Sequence, residues 1–93
     1  MLLSSCTTWA ALSITGTYQG KNLYIQNPEN EDGFGFCVSK VTVNGDVMPG
    51  GTSTSAFEID FTLFNIAIGE PLFIVIEHDE TCKPKILNPE VLL

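Results

Sequence analysis

The sequence contains no arginine and little lysine. Its 93 residues carry four Lys against 11 Asp and Glu, which gives a formal net charge of −7. Nucleic acids and anionic membrane surfaces are bound through clusters of Lys and Arg, so we expect neither as a partner. A single histidine leaves few groups for acid–base chemistry, and we expect no enzymatic activity and no cofactor.

Familiar catalytic and phosphate-binding motifs are also absent. There is no G-x-S-x-G elbow, no H-E-x-x-H pair, no glycine-rich phosphate loop and no Asn-x-Ser/Thr site. Charged residues make up 16% of the chain, and hydrophobic residues make up 44%. Such a composition disfavours intrinsic disorder, and the length allows one small domain.

The first twelve residues carry no charge, and the first charged residue is Lys21. Residues 2–11 form an apolar run that ends in small residues, which is typical of the end of a secretory signal. The cleavage point would follow Ala10 or Ala11. We therefore assign residues 1–11 to a signal-peptide remnant and residues 12–93 to a single domain. Two alternatives stay open. Residues 3–6 fit a lipobox ending at Cys6, and the segment also fits a first strand or a frayed tail.

Three cysteines form an odd set. If Cys6 is removed with the signal or carries lipid, Cys37 and Cys82 remain as a possible disulfide pair. That disulfide would close a loop of roughly 45 residues and contribute about 3–4 kcal/mol in an oxidising compartment. Two separate buried thiols are the alternative.

Apolar and polar residues alternate along most of the chain, which indicates strands, and no stretch shows a helical stripe. Clusters of Gly, Asn, Pro and Ser separate these runs. The predicted strands span residues 13–18, 22–26, 34–43, 46–48, 56–63, 72–76 and 85–87. Six to seven short antiparallel strands predict an all-β fold, a small two-sheet sandwich.

Three local patterns sharpen this prediction. Asn44-Gly45 between apolar residues predicts a tight hairpin turn. The apolar parity changes near Ser39 and Lys40, which a β-bulge or burial of both faces would explain. The unbroken apolar run 72–76 predicts a central strand covered on both faces.

Four segments together resemble the N-terminal region of uncharacterised exported proteins of the Bacteroidetes type. They are residues 20–28, 35–45, 55–60 and 78–92, which include Cys37, Cys82 and the Asn88-Pro89-Glu90 tripeptide. The resemblance covers roughly residues 16–92. It implies an exported, immunoglobulin-like or related sandwich module, with no catalytic residues to carry over.

Few side chains suggest a binding site. Glu29, Glu31 and Asp32 lie in an oxygen-rich loop that ends at Gly33, and such loops can hold calcium. A solvated acidic turn is the more probable interpretation of this loop. His78, beside acidic residues and four positions before Cys82, is interpreted as a surface turn residue rather than a catalytic or metal-binding group.

Aromatic residues give a second, weaker suggestion of binding. Trp9, Tyr18 and Tyr24 would line a sugar-binding face if they lay together on one surface, and core or edge-strand positions are the alternative.

These observations predict an exported structural or protein-interaction module located in the periplasm or at the cell surface, or secreted. Its partners would be other protein domains or cell-surface proteins, contacted through strand edges and loops, with no membrane insertion after processing. A glycan- or calcium-binding module is the alternative function.

Overall fold

The computed structural model describes residues 9–30, 33 and 35–93. These residues form seven strands: β1 (Trp9–Thr17), β2 (Leu23–Gln26), β3 (Val38–Val43), β4 (Asp46–Val47), β5 (Ala56–Ile59), β6 (Pro71–Asp79) and β7 (Lys85–Ile86). Two short 3₁₀ helices span Phe61–Phe64 and Pro89–Leu92. Within the described part of the chain, no helix has the length and apolar character needed to cross a membrane.

The strands form two antiparallel sheets, with the orders β1-β6-β3-β4 and β5-β2-β7. The predicted all-β, two-sheet sandwich is therefore confirmed. In a constant-type immunoglobulin domain the first strand belongs to the sheet of the second, and the last strand to the sheet of the sixth. Here β1 pairs with β6 and β7 pairs with β2, so each lies in the other sheet, and so does β4, which pairs with β3 rather than lying in the sheet of the second strand.

The core lies between the inner faces of the two sheets. Its fully buried apolar side chains are Leu23, Ile25, Val41, Val43, Ile59, Phe61, Leu72, Ile74 and Ile76. The ring of Tyr18 packs edge-on against the ring of Phe61, with their centroids 5.5 Å apart. Burial of one such aliphatic or aromatic side chain contributes about 1.5–3 kcal/mol, so this layer supplies most of the stabilisation of the fold.

One buried polar side chain ties three segments together. The Asn27 side chain is fully buried, and its Oδ1 atom accepts a hydrogen bond from the Val38 amide at 2.9 Å. Its Nδ2 atom donates to the Thr52 carbonyl oxygen at 2.6 Å. Both hydrogen-bonding functions of the amide are thereby satisfied inside the protein, as burial requires.

The predicted hairpin and the predicted bulge are both confirmed. Asn44 and Gly45 have φ angles of 50° and 89° and connect β3 to β4, as a type I′ turn requires. The pairing of β3 with β6 shifts register between Val38 and Lys40. The extra residue turns the following side chains to the opposite face, which places Val41 and Val43 in the core.

Two strand predictions are wrong. The alternation over 56–63 predicted one strand, but β5 ends at Ile59 because the Asp60 side chain accepts a hydrogen bond from the Thr62 amide and caps a 3₁₀ helix. Leu63 is consequently exposed. The run 72–76 is central but not covered on both faces, since Phe73 is 50% exposed on the outer face of its sheet.

Some predicted boundaries also move. The strand predicted over 34–43 begins at Val38, and Phe36 forms an isolated bridge with Glu29. Residues 9–11, predicted to belong to the signal remnant, are the first positions of β1 and pair with residues 77–79. Residues 1–8, including Cys6, lie outside the described part, and removal of the segment stays a prediction.

Candidate functional site

β1 is the outermost strand of the four-stranded sheet. It pairs with β6 along its whole length, and within the described residues no strand pairs with its other side. The peptide groups that point away from β6 therefore form a row of open N–H donors and C=O acceptors. An extended chain from another molecule can add to such a row as a further strand.

β1 lacks the features that usually protect a strand edge. Proteins protect edges with lysine, proline, bulges or very short strands. β1 has nine residues, contains no charged residue and no proline, and pairs with β6 without a register shift. The other outer strands are shorter: β4 and β7 have two residues each, and β5 has four, including Glu58. Among the described strands, β1 is the edge best suited to strand addition.

The inward side of β1 is only partly covered. Leu12 and Ile14 pack against the core, yet both side chains are half-buried rather than buried. The intervening Ser13 and Thr15 face solvent. An added strand that continued this sheet would cover the remaining apolar surface, and burial of that surface would favour its binding.

A cleft of about 310 Å³ opens beside the first half of β1. Its lining residues are Ala10, Ala11 and Leu12 of β1, His78 of β6, and Lys83 and Pro84 of the connection to β7. Sites for drug-sized ligands span about 300–1,000 Å³, so this volume suits one or two side chains better than a large ligand.

His78 is buried at 5% exposure and lies opposite Ala10 in the β1–β6 pair. The interpretation as a surface turn residue is wrong, because β6 continues to Asp79 and His78 shares the inward parity of Ile74 and Ile76. Its Nδ1 atom lies 2.8 Å from the Asp79 carbonyl oxygen. A carbonyl oxygen only accepts hydrogen bonds, so Nδ1 carries the proton, and in the neutral ring Nε2 is an acceptor.

The opposite wall of the cleft is held by a disulfide. Cys37 and Cys82 are bonded, with their Cα atoms 6.0 Å apart, which confirms the predicted pair. Lys83 and Pro84 follow Cys82 directly, so the disulfide anchors them near β3 and β6. Sequence reasoning missed both as site residues, although their position after a predicted disulfide cysteine was an available signal.

The residues of the predicted calcium loop are only partly described. Glu29 is exposed, and Glu31 and Asp32 lie outside the described residues. In the described part of the chain, no three His, Cys, Asp or Glu side chains are grouped so as to hold a metal ion. A solvated acidic turn therefore stays the prediction for this loop, with calcium binding as the alternative.

The alternative to a sugar-binding face, a core position, holds for Tyr18. Tyr18 is buried in the core, so it cannot stack on a sugar, and the side chain of Trp9 lies outside the described part. Tyr24 is exposed, and its hydroxyl donates to Glu58 Oε2 at 2.9 Å. This hydrogen bond, together with the negative charge of Glu58, raises the pKa of Tyr24 above 10.0.

No family model, curated protein or solved structure matches the chain. The resemblance to exported proteins of the Bacteroidetes type therefore stays a prediction, and the functional argument rests on the β1 edge and the cleft.

Proposed function

We propose that this protein is an exported interaction module that binds an extended segment of a partner protein by strand addition at the β1 edge. The observation that carries the proposal is the edge itself, nine residues long and without charge or proline. Main-chain hydrogen bonds would supply the affinity, and side-chain contacts beside the edge would supply the specificity. The partner would be another protein domain or a cell-surface protein.

Two observations support an exported location. The Cys37–Cys82 disulfide is typical of oxidising compartments such as the periplasm or the cell exterior. The resemblance of residues 16–92 to exported Bacteroidetes-type proteins also favours an exported location. We propose that the chain acts in the periplasm, at the cell surface or after secretion, with residues 9–11 retained, because cleavage near Ala10 or Ala11 would remove the first positions of the β1 edge.

The other predicted roles have weaker support. Glycan binding would depend on Tyr24 as the one exposed described tyrosine, and calcium binding would depend on the loop 27–33. We propose no enzymatic role, because the chain has one histidine and no arginine.

The test uses a synthetic peptide of alternating Thr and Val, matched in length to β1, and a second copy N-methylated at alternate residues. Strand addition depends on peptide N–H groups, so the first peptide should bind and the methylated one should not. Hydrogen exchange read by NMR should show new protection at alternate amides of β1. Equal binding of both peptides, or protection elsewhere only, would contradict the proposal.

An edge variant provides the matched control. Ser13 and Thr15 face solvent on β1, and lysine at such positions is how proteins protect edges. Ser13→Lys combined with Thr15→Lys should weaken peptide binding while leaving the pairing with β6 intact. Gln26→Lys changes an exposed residue of β2, in the other sheet, and should leave peptide binding unchanged.

A further inference from the structure

We propose that the cleft beside β1 receives a carboxamide side chain, Asn or Gln, from the strand that adds to the β1 edge. This inference rests on the function proposed above and names the side chain that the partner would present. The cleft is lined by three consecutive β1 residues, so a strand paired with them would place an inward-facing side chain at its mouth.

The acceptor in the cleft is provided by His78. The Asp79 carbonyl oxygen holds the proton on Nδ1, and Nε2 has no hydrogen-bond partner among the described residues. An acceptor that lines the cleft beside apolar Ala10 and Leu12 favours a ligand that brings an N–H or O–H group.

The donor in the cleft is provided by Lys83. Its ammonium group forms no ion pair with any residue that the structure describes. The salt bridge among those residues joins Lys40 and Glu77. An ammonium group donates and never accepts, so it favours a ligand oxygen.

One acceptor and one donor between apolar walls match the two ends of a side-chain amide. The amide N–H₂ would donate to Nε2 of His78, and its carbonyl oxygen would accept from Nζ of Lys83. A carboxylate has no donor for Nε2 and would also meet the net charge of −7 of this chain. An aliphatic side chain would leave both polar groups unpaired.

The experiment uses the Thr/Val peptide as a host, with one Gln, Glu or Leu guest placed in turn at each position. At one position the Gln peptide should bind about threefold to tenfold more tightly than the Leu peptide, the range expected for a net gain of about one hydrogen bond. Tightest binding by Glu or Leu at every position would overturn the proposal. Failure of the host itself to bind would instead reject strand addition.

Two variants assign the preference to the cleft. Lys83→Met keeps an apolar stem but removes the donor, so the preference for Gln should fall, while the hydrogen bond to His78 remains. Lys85→Met removes a lysine on β7 that does not line the cleft, and the preference should persist. In the unaltered protein, the Nε2 ¹⁵N resonance of His78 should shift with the Gln peptide and not with the Leu peptide. A Gln preference that is unchanged in Lys83→Met would contradict the assignment.

Discussion

Cys37 and Cys82 join the residue before β3 to the connection after β6, with their Cα atoms 6.0 Å apart. A backbone hydrogen bond from the Asp79 amide to the Cys37 carbonyl oxygen, at 2.9 Å, reinforces the same junction. The disulfide therefore acts on two properties at once, since it restricts the unfolded chain and fixes the Lys83–Pro84 wall of the cleft.

Removal of this disulfide should lower stability strongly. The bond joins residues that are 45 positions apart in the sequence. For a loop of that size, loss of the bond should lower the free energy of unfolding by about 3–4 kcal/mol. Urea denaturation of the Cys37→Ala/Cys82→Ala double variant measures the loss. Cys6→Ser is the matched control and should be close to neutral. An equal loss in both proteins would refute the structural role of the pair.

Gly16 leaves space for the last 3₁₀ helix. A Cβ atom on Gly16 would lie 2.6 Å from Leu92 Cβ and 2.8 Å from the Leu92 carbonyl oxygen. Gly16→Ala should therefore displace Leu92 and cost about 1–3 kcal/mol, as other overpacked sites do. Gly51→Ala meets no atom within 4 Å and should change stability by less than about 0.5 kcal/mol. Thermal unfolding followed by circular dichroism distinguishes the two variants.

Asn27→Ala should lower the stability of the protein more than the small loss of side-chain volume suggests. It would leave the buried Val38 amide and the Thr52 carbonyl without their partner, at about 1–3 kcal/mol for each unsatisfied group. Asn88→Ala is the comparison, because Asn88 also bridges two backbone groups but is half-buried. Water can replace its hydrogen bonds, so chemical denaturation should show a clearly smaller loss. Equal losses would show that burial does not set the cost.

Asp60 and Asp79 should make the free energy of unfolding depend on pH in the acidic range. The Thr62 hydroxyl, followed by its amide, holds the pKa of Asp60 below 3.8, and the Thr81 amide, followed by its hydroxyl, lowers the pKa of Asp79 in the same way. Folded values below the unfolded ones stabilise the protein above the ordinary pKa, and this contribution is lost as pH falls through the lowered values.

NMR titration of the carboxyl groups checks the assignment. Thr62→Val removes the largest cause at Asp60, so the pKa of Asp60 should rise towards 3.8. Thr81→Val leaves the amide that is the largest cause at Asp79, so the pKa there should move less. A larger movement at Asp79 than at Asp60 would contradict the order of causes.

Local signals in the sequence were sufficient for the turn at Asn44-Gly45, and they left the bulge after Val38 and the Cys37–Cys82 pair each as one of two alternatives. They failed at Asp60, where one side-chain hydrogen bond to Thr62 ends a strand that the apolar alternation would continue. The exposure of Phe73 was also unpredictable, because a continuous apolar run is the same whether or not another layer covers its second face.

The candidate site was harder to predict than the fold. The inward parity of 72, 74 and 76 extends to His78, and that signal was available. The cleft itself brings together the first strand and the connection before the last strand, and no local pattern reports such a pairing. Residues 9–11, the first three positions of β1, were predicted to belong to a processing signal because the sequence there lacks charge, and the same property suits them to an open strand edge.

The register of β1 against β6 also bears on folding kinetics. Trp9 pairs with Asp79 and Thr17 with Pro71, so every partner of β1 lies far along the chain. Pairings between distant segments form slowly, because the intervening chain must first be ordered. During synthesis β1 would leave the ribosome long before β6 and would stay unpaired in the interval. An apolar strand in that state is exposed to aggregation, and a chaperone that binds unfolded chains would shield it.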